Sequence, residues 1–92
     1  MINIDPDEEY DLEVVAYYVS FRDNYRCQKC GKKGQQRHHV IPKSMYGPDS
    51  PNNIILLCVE CHDEVEIAAH LYIEVLQKLI RKSEKKLRSC LV

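Results

Sequence analysis

Two Cys-x-x-Cys pairs, Cys27 with Cys30 and Cys58 with Cys61, constrain this chain more than any other feature. Cysteine pairs at that spacing suit a tetrahedral metal whose sulfur ligands come from two tight turns, and they point to a structural Zn2+ bound as thiolates. A disulfide framework is the competing reading. It is disfavoured by the odd count of 5 cysteines and by the acidic opening MINIDPDEEYD, which is neither a signal nor a transit peptide. The fifth, Cys90, has no partner at such spacing and reads as a free thiol in the tail. A chain of 92 residues has room for one domain, and a core that small usually needs a staple. Between the pairs lie residues 31–57, a gap of 27 that exceeds the roughly 15–20 of a plain zinc ribbon. The content of that insert decides the function.

Net charge is only −1, but it is unevenly distributed. Residues 1–23 hold seven acids and one base, and residues 63–80 hold four acids and one base. Residues 24–62 hold six bases against two acids, and residues 81–92 hold five against one. Two basic islands on an acidic chain can steer a phosphate backbone although the average charge cannot. No apolar run approaches the roughly 18 residues of a membrane span, so no membrane partner is expected and an intracellular, cytoplasmic setting is.

Along the chain, Asp5-Pro6 followed by Asp7, Glu8 and Glu9 reads as a helix start. Leu12, Val15, Tyr18 and Val19 continue at helical spacing, which predicts an N-terminal helix over 6–23. Residues 24–66 then form the knuckle core. Within it, Arg37 to Ile41 is a short extended segment, 43–53 a turn-rich loop, and Ile54 to Leu57 a buried strand. A single long helix is expected from Cys61 or His62 to about residue 88, so that 67–92 is an extended helix with a basic tail. Val65, Ala68, Ala69, Tyr72, Leu76, Leu79 and Ile80 supply its apolar face, and Ile67, Leu71 and Val75 a second stripe. That face is wide enough to meet the N-terminal helix or a second subunit, hence a homodimer.

His38-His39-Val40-Ile41-Pro42, then Asn53-Ile-Ile-Leu-Leu-Cys58 and Cys61-His62, follow Cys27-x-x-Cys30-Gly31 in order. With the lead-in Phe21-Arg22-Asp23-Asn24-Tyr25-Arg26, these motifs resemble the four-cysteine zinc-knuckle subgroup of the HNH endonucleases over roughly residues 21–66. The resemblance implies a small α+β fold of ββα-metal, treble-clef-like type, a divalent ion such as Mg2+ or Mn2+, and DNA as the partner. It implies His38 and His62 as ligands of that ion, His39 as the general base, and Asn53 as the residue that fixes the loop and orients the base. Adjacent strand residues point to opposite sides, so His38 and His39 cannot share one task.

Glu66 is one helical turn beyond His62 and on the same face, where a carboxylate suits a hard ion. It is open between a direct ligand, a ligand through water and a solvated helix acid. Lys29, Lys32, Lys33, Arg37 and Lys43 flank the site as candidate phosphate contacts. His70 reads as a surface histidine. The function expected is a metal-dependent endonuclease of low specificity, or one that nicks, with any recognition supplied by a protein partner. Its alternatives are a non-catalytic zinc module binding nucleic acid or protein, and an accessory subunit of a phage or restriction system.

Overall fold

The computed structural model describes residues 4–91. Met1 to Asn3 and Val92, the ends of the acidic opening and of the basic tail, lie outside the described residues. The elements are α1 (Leu12–Arg22), β1 (Gln36–His39), β2 (Ile54–Leu57), α2 (Val59–Ile67) and α3 (Ala69–Leu91), with 3-10 turns at Lys43–Met45 and Pro51–Asn53. This is a small α+β fold. β1 and β2 form an antiparallel hairpin in the register Gln36 to Leu57, Arg37 to Leu56, His38 to Ile55 and His39 to Ile54.

The hairpin is the middle layer, and β2 is buried along its whole length. Strand alternation divides that apolar run between two cores. Ile55 and Leu57 pack with Cys27, Val40, Cys58, Cys61, Val65, Leu76 and Ile80, on the side of α2. Ile54 and Leu56 pack with Val15, Tyr18 and Val19 of α1 on the other.

A polar network closes the α1 side. The fully buried Arg22 guanidinium is held by Asp23 (Nε to Oδ1, 2.8 Å), by Glu84 of α3 (Nη1 to Oε2, 3.3 Å) and by the carbonyls of Pro51 and Ile54 at 2.7 and 2.8 Å. Asp23 also accepts from the Leu56 amide at 3.0 Å and from Ser83 Oγ at 2.6 Å. Tyr18 donates to Glu84 at 2.9 Å, and burial followed by that carboxylate pushes its phenol well above the usual range. Each buried charge has its partners, the condition under which such a group is tolerated.

Two element boundaries differ from the sequence expectation. α1 begins at Leu12, not at residue 6. Asp5 instead closes a turn by accepting from the Asp7 amide at 2.9 Å, and tertiary bonds take the backbone that a helix would use. Tyr10 N–H donates to the Asp49 carbonyl at 3.2 Å, and Asn52 N–H to the Pro6 carbonyl at 2.9 Å. The expected single helix is two, starting at Val59 and broken at Ala68 (φ −139°, ψ 52°), with no glycine or proline to mark the break. α2 is pinned by Cys58 and Cys61, while α3 aligns Ser83 and Glu84 with the Arg22–Asp23 network, so each half follows its own anchor. α3 does meet α1, through Glu84 and Leu87; Ile67, Leu71 and Val75 stay exposed.

Candidate metal centres and active site

The four cysteine sulfurs come together, all within 4.8 Å of one another. Each knuckle aims an amide at its first sulfur: Cys30 N–H at Cys27 Sγ and Cys61 N–H at Cys58 Sγ, both 3.4 Å. Gly31 ends the first turn at φ +84°, a conformation natural to glycine. Burial alone raises a thiol, but backbone hydrogen bonds at Cys58, Cys30 and Lys29 outweigh it at Cys27 and bring that group to about 7. Burial and then the neighbouring thiols push Cys61 well above its usual range. Four sulfurs this close can share the anionic state only around a cation, and the donor set fits tetrahedral Zn2+.

A second cluster lies one residue beyond the first. His38, His62 and Glu66 each offer a ligand atom within 4.8 Å of the others. Glu66 Oε1 is 3.4 Å from His62 Nε2 and 3.9 Å from His38 Nδ1, and the two imidazoles meet edge to face at 5.4 Å between centroids. His38 is buried, and its Nε2 has no hydrogen-bond partner. Burial, then the neighbouring His62, lowers its pKa and keeps the ring neutral with a lone pair to give. A neutral imidazole beside a second imidazole and a carboxylate is a donor set that fits a divalent cation. Unlike the sulfur site it is open, since Arg37, His38, His39, Pro42, Lys43, His62, Glu66 and Ala69 line a cleft of about 260 Å3.

His39 shares this cleft but faces a different partner. Its Nε2 lies 2.7 Å from Oδ1 of Asp49, whose other oxygen is 3.2 Å from Lys43 Nζ. The His39 hydrogen bond, followed by Lys43, holds the Asp49 carboxyl below the usual carboxylate range. An ionised carboxylate only accepts, so His39 donates to it from Nε2, and in the neutral imidazole Nδ1 is then the acceptor. Asp49 is not marked in the sequence, because Gly-Pro-Asp-Ser-Pro has turn composition and an aspartate there needs no other reason.

Asn53 is buried, and its role divides differently from the expectation. Its side chain accepts from Ile41 N–H at 2.9 Å and donates to the carbonyls of Ile41 and Pro48, both at 3.0 Å. It ties the two ends of the 42–48 loop together, whereas the histidine is held by Asp49. Asn52 instead bonds Asp7.

The five candidate phosphate contacts separate as well. Arg37 and Lys43 line the cleft. Lys29 is paired with Glu64 at 2.6 Å and Lys32 with Glu60 at 3.7 Å, on the outside of α2, and Lys33 sits in the knuckle opposite Arg26. His70 and Cys90 are exposed and belong to neither ligand cluster. Among the described residues, no helix is long and apolar enough to cross a membrane.

Comparison with known proteins shows what this arrangement resembles. The type IV methyl-directed restriction enzyme EcoKMcrA of Escherichia coli (strain K12) is 34% identical over 71 residues, covering 64% of this chain and 26% of that protein. The chain therefore spans about a quarter of that relative's length. The family model described as HNH endonuclease matches residues 27–66, from the first cysteine of the sulfur site to the carboxylate of the second cluster. Over residues 27–66 the chain is therefore similar to the HNH endonuclease family.

Proposed function

We propose that this chain is a metal-dependent DNA endonuclease in which His39 is the general base. One observation carries the reading: the His38, His62 and Glu66 cluster opens into the same cleft as a histidine whose other nitrogen is occupied by a carboxylate. Cys27, Cys30, Cys58 and Cys61 would hold Zn2+ and fix the ends of the hairpin. His38, His62 and Glu66 would hold a second, exchangeable ion such as Mg2+ or Mn2+. That ion, when bound, supplies positive charge for the phosphate and for the departing 3′ oxygen.

The chain's own residues do the rest. His39 Nδ1 takes a proton from the attacking water while Asp49 steadies the cation that forms. The water oxygen bonds to phosphorus as the P–O3′ bond breaks, and the leaving oxygen is protonated, giving a 5′ phosphate and a 3′ hydroxyl. Arg37 and Lys43 face the non-bridging phosphate oxygens. Backbone contacts of this kind carry little base information, so we assign low sequence specificity or nicking, with recognition supplied by a partner. The relative's methyl-directed character is not assigned to this chain, which spans so little of it. A homodimer through Ile67, Leu71 and Val75 remains part of the proposal, and light scattering that finds a monomer removes it.

The test is nicking of supercoiled plasmid with Mg2+ or Mn2+. Wild type should convert plasmid to open circles, and His39→Ala should not. Intact plasmid across several divalent ions would favour a non-catalytic zinc module. Equal cutting by His39→Ala would remove the base assignment while leaving the enzyme.

A further inference from the structure

The loop beside the cleft carries a feature that hydrolysis does not use. Tyr46 is 96% exposed and Met45 65% exposed, two large apolar side chains side by side in solvent. The backbone beneath them is tightly fixed. Met45 N–H and Gly47 N–H both donate to the Pro42 carbonyl, at 2.9 and 3.0 Å, and Tyr46 N–H donates to that of Lys43 at 3.0 Å. Asn53 bonds Ile41 and Pro48 on either side. A Cβ on Gly47 would lie 1.7 Å from the Ile41 carbonyl oxygen, so the loop closes too tightly for any other residue. Tyr46 itself stands at φ +62°, a left-handed conformation that costs a non-glycine residue energy. A fold gains nothing by holding a tyrosine there only to hydrate it, and backbone outliers of this kind gather at functional positions.

We propose that Tyr46, with Met45 beside it, is a wedge that stacks into a base step of duplex DNA next to the bond being cut. The inference rests on the nuclease reading for its choice of ligand. Two features of the loop favour DNA. Lys43, three residues earlier in the same 3-10 turn, lines the cleft as a cation for phosphate. Asp49 binds both Lys43 and His39, so the loop and the base are tied to one carboxylate. The wedge is thereby held at a fixed offset from the reacting water. Apolar side chains inserted between base pairs unstack and bend a duplex, and stacking on an aromatic ring tolerates any sequence. A rigid loop has already met its ordering cost before binding.

Binding to a short duplex carrying 2-aminopurine at several steps tests this, with no catalytic ion added, alongside plasmid nicking by the same proteins. Wild type should raise the 2-aminopurine fluorescence. Tyr46→Ala should bind about tenfold more weakly and lose the rise, while Tyr46→Phe keeps both. Tyr46→Gly should weaken DNA binding as Tyr46→Ala does, yet melt above wild type, because glycine relieves the left-handed strain. A Tyr46→Ala protein that binds, brightens and nicks like wild type overturns the wedge and leaves the nuclease standing. A Tyr46→Gly protein that melts below wild type overturns it too, by making Tyr46 a structural residue. Tyr46-dependent brightening without nicking in any divalent ion keeps the wedge and removes the nuclease, whereas no binding of DNA by wild type removes both.

Discussion

The sulfur cluster and the His38–His62–Glu66 cluster meet at adjacent residues of α2, Cys61 and His62, and are built to opposite ends. Three of the four cysteines are buried, their donors are identical and soft, and two knuckle amides point at the sulfurs. The lysines nearest them are paired with acids of α2. The second cluster mixes two imidazoles with an exposed carboxylate, opens to solvent, and is flanked by Arg37, Lys43 and an acceptor-ready histidine. A closed site holds a shape, and an open one leaves room for a substrate. The pairing teaches how 92 residues can position chemistry with so little core: Cys61 fixes the helix turn from which His62 projects.

Breaking the closed site should have the largest effect. Cys58→Ser should leave the protein unfolded by circular dichroism at room temperature, since zinc binding in such centres is worth about 10 kcal/mol or more of folding free energy. His38→Ala should instead stay folded with its zinc and lose cutting, which separates the two clusters in one comparison. His39→Ala should keep fold and both ions while nicking falls about a hundred- to ten-thousand-fold. Arg22→Ala should strand Asp23 and Glu84 and cost about 3–5 kcal/mol in urea unfolding, with zinc content per folded chain unchanged.

Asp49→Asn sharpens the open site and should be the mildest. Nicking should slow about 10- to 100-fold, the usual scale for a residue acting through another. Its stability signature has a definite sign. The Asp49 carboxyl lies below its ordinary value, so its contribution is complete above about pH 4 and fades as pH falls through the lowered value. The difference in melting temperature between wild type and Asp49→Asn should close as pH falls below about 4.

Much of this site was legible because its chemistry is written in close spacings. Cys27, Cys30, Cys58 and Cys61 announce a metal by themselves, and His38-His39 on a strand must divide their duties by alternation. Ile54 to Leu57 reads as a buried strand because nothing in it tolerates water. The less legible parts depend on contacts far apart in sequence. Asp49 acquires its role only when the loop folds back on His39, and its neighbours Pro48 and Pro51 supply a sufficient local reason for it. α1 starts late because Tyr10 and Pro6 find partners in residues 49–52, a competition that helix propensity does not register. The break at Ala68 follows from two anchors pulling one helix, and alanine is the last residue to advertise a break. Arg22-Asp23, part of a recognisable lead-in, gives no hint that Glu84 of α3 completes it.

In the proposed enzyme one ion holds the fold while another serves the chemistry. The most direct test is to treat the protein with a mild chelator, count retained metal, and assay plasmid nicking before and after adding back a divalent ion. One zinc should be retained per folded chain, nicking should be abolished by the chelator, and Mg2+ or Mn2+ should restore it in wild type but not in His38→Ala. Undiminished nicking by a protein carrying the single zinc alone, or restoration in His38→Ala equal to wild type, would contradict it.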